Sequence, residues 1–239
     1  GFLNYCEHEF SVRESGQLGA NGYDPVRAYY EITALKSCTD FIVVIYHGGN
    51  EYYNLPSPDL KKTFHYVANL GADAVIGHHT HVYSGYEFYN GKPLVYSLGN
   101  FYFPYDNEPE SWHLGIVAKL TISNKTRLEL IPILQCKDNY DVTPVSGTRK
   151  QEILDEIDTL SAIIADDASL EHHWLEFLRS RRMGMIKSFP CMTLLHRAAL
   201  KLGVPLSFFI PEKRLLAFEN ILRCQAHANI LKHTIKNIF

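Results

Sequence analysis

The sequence has no strongly basic run, no CxxC pair, no long apolar stretch and none of the common nucleotide or serine-hydrolase loops. Each absence removes a class of function. Formal net charge is -3 at pH 7, so no electrostatic footprint for a phosphate backbone exists and nucleic acid is not an expected partner. The longest strongly apolar run, FIVVIY at 41–46, is far shorter than the roughly 20 residues a membrane helix needs, so no span is expected in this chain. GxSxG, Walker and GxGxxG patterns are missing, and with them any support for a nucleophile elbow or a nucleotide loop. The five cysteines are odd in number and widely spaced, which fits reduced thiols and a cytoplasmic setting. The first ten residues, GFLNYCEHEF, have neither a basic segment nor a long apolar segment and do not form a secretory signal. They read as a strand already under way, so the expectation is a chain whose beginning has been removed.

What the sequence does have is a core. Of its 239 residues 46% are hydrophobic, enough for one large domain or one domain with a substantial extension. Residues 1–12 alternate as a strand would, ending near Glu7-His8-Glu9, and 15–25 is a loop. Asp24-Pro25 opens a helix to about Lys36, and Ser57-Pro58 opens another that Gly71 stops. Between and after them, Phe41–Tyr46 and Ala74–Ile76 are short continuous apolar runs, the pattern of strands covered on both faces. Strand, helix, strand in this order predicts a βαβ unit with parallel strands, whose carboxyl ends form the edge where ligands sit in open α/β sheets. Strands over 83–89, 94–96, 116–122 and 128–134 follow, read as an antiparallel back half with Asn90-Gly91 as one turn. From about 148 the periodicity is helical throughout. The division is therefore an α/β region at 1–147 and an all-helical extension at 148–239.

The carboxyl edge is where chemistry concentrates. His47 ends one strand, the cluster Gly77-His78-His79-Thr80-His81 ends the next, and Asn100 lies in the SLGNF turn after LVYS. If the backbone stays extended, alternation aims His79 and His81 at one point and His78 elsewhere. Neutral imidazoles bind zinc, manganese or iron, so His47, His79 and His81 are a candidate half-site for a metal or a phosphate contact. Gly48, Gly49 and Gly77 leave room beside them. His65, His113, His172, His173, His196 and His227 read as ordinary surface or packing residues. Cys224 with His227 reads as a buried thiol beside an amphipathic histidine. The string Phe101-Tyr102-Phe103-Pro104-Tyr105 could line a sugar or peptide groove or simply pack. Glu7 and Glu9 could supply carboxylates, though solvated or capping roles are commoner.

DFIVVIYHGGNEYYNLPSP, GADAVIGHHTHVYSGYEFYNGKPLVYSLGNF and the closing RCQAHANIL together resemble the CapA family of capsule and poly-gamma-glutamate synthesis proteins, which are similar to calcineurin-like metallophosphoesterases. The resemblance covers most of residues 1–135 and is weaker in the tail. It implies a metallophosphoesterase-like α/β sandwich, represented here by its carboxyl-terminal half, with a helical extension. It implies divalent metal ions (manganese, zinc or iron, dinuclear in the complete protein) on His47, His79 and His81. Glu51 matches the family's glutamate after the His-Gly pair, as an acceptor for an imidazole N–H or as a general base; Asn100 matches the SLGNF turn, holding metal, a substrate oxygen or only the turn. The implied function is metal-dependent phosphoester hydrolysis in surface-polymer synthesis, with a surface polymer or phosphoester as substrate. One departure bears on activity: the superfamily's early Gly-Asp and Asn-His motifs do not precede His47, so the bridging carboxylate is absent and the first half of the fold is expected as a missing partner. The rival expectation is a catalytically silent binding or assembly module of the same polymer system.

Overall fold

A computed structural model describes residues 1–8, 12, 18–105, 108–123, 126–137, 139–187 and 193–223. In chain order the elements are β1 (Phe2–Cys6), α1 (Pro25–Lys36), β2 (Val43–His47), α2 (Pro58–Leu70), β3 (Ala74–His78), β4 (Tyr86–Tyr89), β5 (Lys92–Val95), α3 (Glu110–His113), β6 (Leu114–Thr121), β7 (Arg127–Gln135), β8 (Val142–Pro144), α4 (Gly147–Ala165), α5 (Asp167–Lys187), α6 (Leu194–Lys201), α7 (Leu206–Phe209) and α8 (Glu212–Arg223). They fall into two compact units, Gly1–Phe177 and Leu178–Phe239. In the second, Thr193 caps α6 in a reciprocal box with His196, and α8 follows Pro211.

The first unit is a mixed α/β structure of the metallophosphoesterase-like type, built on a five-stranded sheet in the order β1-β2-β3-β5-β4. Helices α1 and α2 start where side chains replace the hydrogen bonds a helix cannot make for itself. The Asp24 carboxylate accepts from the Arg27 N–H at 2.7 Å and the Ser57 hydroxyl accepts from the Leu60 N–H at 3.1 Å, each with proline next in line. Both helices bury apolar stripes, Ala28 and Ile32 on α1, Leu60, Phe64, Val67 and Ala68 on α2. These join Val44, Tyr46, Val75, Leu94 and Tyr96 in the main core. On the opposite face Val43, Ala74, Ile76 and Val95 meet Ala118, Leu120 and Leu128 of a three-stranded antiparallel sheet, β6-β7-β8. The sheet strands are thus apolar on both faces, as their continuous hydrophobic runs require.

Strand directions differ from the sequence reading at one point. β5 pairs parallel with β3, Val75 opposite Leu94, and antiparallel with β4. The chain passes β5's place to lay β4 at the edge, turns through Asn90-Gly91, and returns beside β3. A two-residue turn forces β4 and β5 antiparallel, and this restores the parallel direction to β5. A strand of four residues, Lys92–Val95, carries no sign of which neighbour it will choose.

Packing also carries the compact unit beyond the α/β segment defined by secondary-structure type. Ile153, Ile157, Leu160 and Ile164 of α4 lie at helical spacing and are buried in the main core with Leu170 of α5. Ser161 accepts from the Tyr86 N–H at 2.9 Å, and Tyr83 donates to Glu156 at 2.6 Å. Lys61 caps the end of α4, donating to the Ile164 carbonyl at 2.7 Å and to Asp167 at 2.6 Å, and it holds the Asp167 carboxyl below its ordinary range. Among the described residues Cys6, Cys38 and Cys136 form no disulfide; Cys191, Cys224 and His227 lie outside them. Among the described residues no helix is long and apolar enough to cross a membrane.

The register of the central strands depends on one missing side chain. Gly77 sits opposite Tyr46, and a β-carbon there would lie 2.1 Å from the Tyr96 carbonyl oxygen. Backbone cannot yield as a side chain can. Gly77→Ala is therefore expected to lower unfolding stability by about 3 kcal/mol, at the upper end of overpacking costs, whereas Gly184→Ala, with open space around it, is neutral or stabilising. Denaturant midpoints of the two variants check this, and equal midpoints would refute the close-approach account.

A second prediction concerns Tyr53, whose buried hydroxyl has no hydrogen-bond partner among the described residues. Burial, then the Glu176 charge, pushes its pKa up to about 12. The unfolded phenol titrates near 10, so its contribution to stability is whole below that value and is lost as pH rises through about 12. Tyr53→Phe should match or exceed the parent by up to about 1 kcal/mol at neutral pH and lose less stability above pH 10. Thermal unfolding against pH measures both, and marked destabilisation at neutral pH would reveal a partner for the hydroxyl.

Candidate functional site

In-register parallel pairing brings the ends of the first three strands together, with Cys6 opposite His47 and His47 opposite His78. Beyond His78 the chain leaves the sheet. His79 has φ +102° and His81 φ +62°, so the extended alternation expected over 77–81 does not continue past β3. A reversing loop brings His79 and His81 to the edge. Positive φ in a β-carbon-bearing residue costs about 1 kcal/mol or more and persists only when its surroundings hold it. Here the buried Thr80 hydroxyl bonds to Val82 and to Ser97, each at 2.8 Å, and the Thr80 carbonyl accepts from the Tyr52 N–H at 2.8 Å. Tyr52 itself has φ +59°, so two strained segments are tied to each other.

The three candidate histidines are neighbours, with His79 in the middle. His47 Nε2 and His79 Nδ1 are 3.1 Å apart with ring centroids at 4.7 Å, and His79 and His81 rings are 6.1 Å apart. At His78 burial, then the proximity of His47, holds the pKa below the ordinary histidine value, which favours the neutral ring. His81 Nδ1 meets Asn100 Oδ1 at 2.9 Å, while Asn100 Nδ2 donates to the Trp112 carbonyl at 3.0 Å. Because the amide nitrogen is committed to a carbonyl, its oxygen is the acceptor and His81 Nδ1 must donate. In the neutral ring His81 Nε2 is then the unprotonated nitrogen, 4.0 Å from Glu51 Oε1. That distance is too long for a hydrogen bond, and an ion pair would form there only on a protonated ring.

Glu7 lies against the same edge. A β-carbon on Gly48 would come within 2.6 Å of its Cγ, so Gly48 makes the room Glu7 occupies. Glu9 lies outside the described residues. The aromatic string borders His81, with Phe103 at 5.5 Å centroid distance, and Phe101, Tyr102, Phe103 and Tyr105 are 43–64% exposed. Exposure of that degree places them on the surface. His65 bonds to Glu87 at 2.6 Å, and His113 donates to the Gln135 carbonyl at 3.1 Å.

Sequence reasoning missed Trp112 and Gln135. Trp112 stacks on His81 at 4.4 Å and on Tyr52 at 5.8 Å, forming a wall of the site. Gln135, with no exposed surface, donates to the Trp112 carbonyl at 3.0 Å and accepts from the Phe103 N–H at 2.8 Å, tying the aromatic string to the tryptophan. The available signal for Trp112 was its rarity, one of two tryptophans. A single glutamine at a strand end gave none.

The nitrogens of His47 and His79 are spaced much as two ligands of one ion would be, since zinc–nitrogen bonds of about 2.1 Å at a tetrahedral angle separate the donors by about 3.4 Å. A protein metal centre asks for at least three such ligands. Among the described residues no group of three or more His, Cys, Asp or Glu side chains is arranged to hold a metal ion. These residues do not by themselves make a metal centre, and no chemical step follows from one here.

Fold and site together define an α/β protein whose parallel strands end in a clustered imidazole edge walled by aromatics. Its relatives specify the kind. Residues 4–105 match the family model described as Bacterial capsule synthesis protein PGA_cap. The chain is 42% identical over 146 residues to the PGA biosynthesis protein CapA of Bacillus subtilis (strain 168), which is 60% of this chain and 37% of that protein. It is 41% identical over 68 residues to the Capsule biosynthesis protein CapA of Bacillus anthracis, 28% of this chain and 16% of that protein. Over residues 4–105 the chain is similar to the CapA family. It spans little more than a third of the length of the Bacillus subtilis relative.

The Asn100 contact makes a prediction that needs no ligand. Nitrogen-15 NMR should find His81 protonated at Nδ1, and Asn100→Ala should shift it toward the Nε2–H form that free imidazole prefers. An unchanged tautomer in that variant would remove Asn100 as the group that orients the ring.

Proposed function

We propose that this chain acts in the synthesis of a bacterial surface polymer, capsule or poly-gamma-glutamate, and that its histidine edge engages the polymer or a phosphoester precursor of it. The observation that carries the proposal is the convergence of His47, His79 and His81 within 4.7 and 6.1 Å ring distances at the carboxyl ends of adjacent parallel strands. That edge is where open α/β sheets receive ligands. Similarity to CapA proteins supports the biological setting.

Chemically the edge offers both polarities. Imidazole N–H groups donate to acidic or phosphoryl oxygens, and the unprotonated His81 Nε2 accepts a proton or a hydroxyl hydrogen bond. Trp112, Tyr52 and Phe103 provide flat apolar surface beside it. A binding role in polymer assembly needs nothing further. Metal-dependent phosphoester hydrolysis, with manganese, zinc or iron, is the second reading; the 3.1 Å approach of His47 and His79 favours it, and it requires ligands beyond those the described residues bring together.

Replacing the native copy in a polymer-producing host tests the proposal. The triple variant His47→Ala/His79→Ala/His81→Ala should cut surface polymer at least tenfold at unchanged protein level, and full production would contradict it. Mass-spectrometric metal content then separates the readings: stoichiometric metal lost in His79→Ala supports the hydrolase, and metal-free protein that sustains polymer production supports the binding role.

A further inference from the structure

Next to the histidine edge lies a cavity of about 360 Å³ that the proposed function leaves unused. The two are continuous, because Val82 in its wall follows His81 and Tyr52, also in its wall, stacks on the tryptophan that covers His81. Tyr83 and Leu114 supply apolar wall, and its charged groups are Glu110, Glu156 and Arg149. The volume suits one amino-acid-sized unit and excludes an unbent polymer segment.

The charged groups are ordered by one another. Tyr83, whose hydroxyl is held well above its ordinary pKa by burial and by this bond, donates to Glu156 Oε2 at 2.6 Å, which leaves the other carboxylate oxygen available. Arg149 donates to Glu152 at 3.1 Å and to Glu110 at 3.4 Å, using two of its five N–H groups. Lys137 stands 4.0 Å from Glu110 at the outside. Two carboxylates against one guanidinium in the wall leave a net negative cavity. It disfavours a polyanion and favours a group that brings its own cation, while the remaining guanidinium fork accepts one carboxylate in bidentate fashion.

We infer that this cavity is a subsite for the free amino end of an amino-acid unit, with the ammonium on Glu156 and Glu110 and the neighbouring carboxylate on Arg149. The inference rests on the proposed function, since it makes the ligand the amino end of a peptide-like polymer or its amino-acid precursor, lying with its remainder toward the histidines. Free amino acid and polymer end share this chemistry.

Calorimetric titration of the intact chain distinguishes them, using glutamate, γ-glutamylglutamate, and the N-acetylated form of each. Binding should weaken at least tenfold on acetylation and at least tenfold in Glu156→Gln, a variant in which Tyr83 can still donate to the amide oxygen. Tighter binding of the dipeptide assigns the polymer end; equal binding assigns the precursor. If Glu156→Gln unfolds, Glu110→Gln on the exposed rim replaces it. Acetylated ligands that bind as well as free ones, or no binding of either ligand, overturn the inference. Binding lost in His81→Ala but not in Glu156→Gln moves the ligand to the histidine edge, sinking the subsite while the proposed function stands. Binding that needs Glu156, in a protein whose histidine variants still sustain polymer production, keeps the subsite and sinks the functional reading instead.

Discussion

Everything at the working edge depends on how closely β3 lies between β2 and β5. Parallel strands that begin level also end level, so His47 and His78 finish opposite each other only because Val43 is paired with Ala74 at the start. Gly77 allows the last step. With no side chain there, the Tyr96 backbone passes within a distance no β-carbon could share, and the loop carrying Ser97 comes near enough to bond Thr80. A one-residue slip would move the histidines to the other face and dissolve the cluster.

Above that register the site is held by polar contacts that are themselves buried. Asn100 is 8% exposed and Gln135 fully enclosed; Gln135 spends its amide on the backbone of Trp112 and Phe103, and Asn100 divides its own between the Trp112 carbonyl and the His81 ring. Such groups are costly to bury unless satisfied, and here each is satisfied by the segment it must position. Strain at His79, His81 and Tyr52 is stored in the same place. The combination of backbone strain with a fully bonded support is what a preformed binding edge requires.

Much of the fold was legible because its signals are local. Asp24-Pro25 and Ser57-Pro58 mark helix starts through chemistry within four residues, and FIVVIY and AVI declare buried strands by composition. The identity of the edge histidines followed from strand ends. The reason given for pairing His79 with His81 did not survive, because positive φ after His78 replaces alternation by a loop, and φ is not written in a histidine's identity. The direction of β5 depends on which neighbour it joins, and the parts played by Trp112 and Gln135 depend on contacts 23 to 32 residues apart. Long-range pairing of this kind leaves no periodic trace. Similarity to CapA proteins fills in the biological setting and covers only a fraction of their length.

The central claim is that the imidazole edge at the carboxyl ends of β2 and β3 meets the polymer. Backbone amide shifts recorded while a short poly-gamma-glutamate oligomer or a capsular oligosaccharide is titrated into the protein test this most directly. Perturbations should centre on His47, His79, His81, Tyr52 and Trp112 and fade toward the buried face shared with β6. Shifts concentrated away from the carboxyl ends of β2 and β3, with those five residues unmoved, would contradict the account.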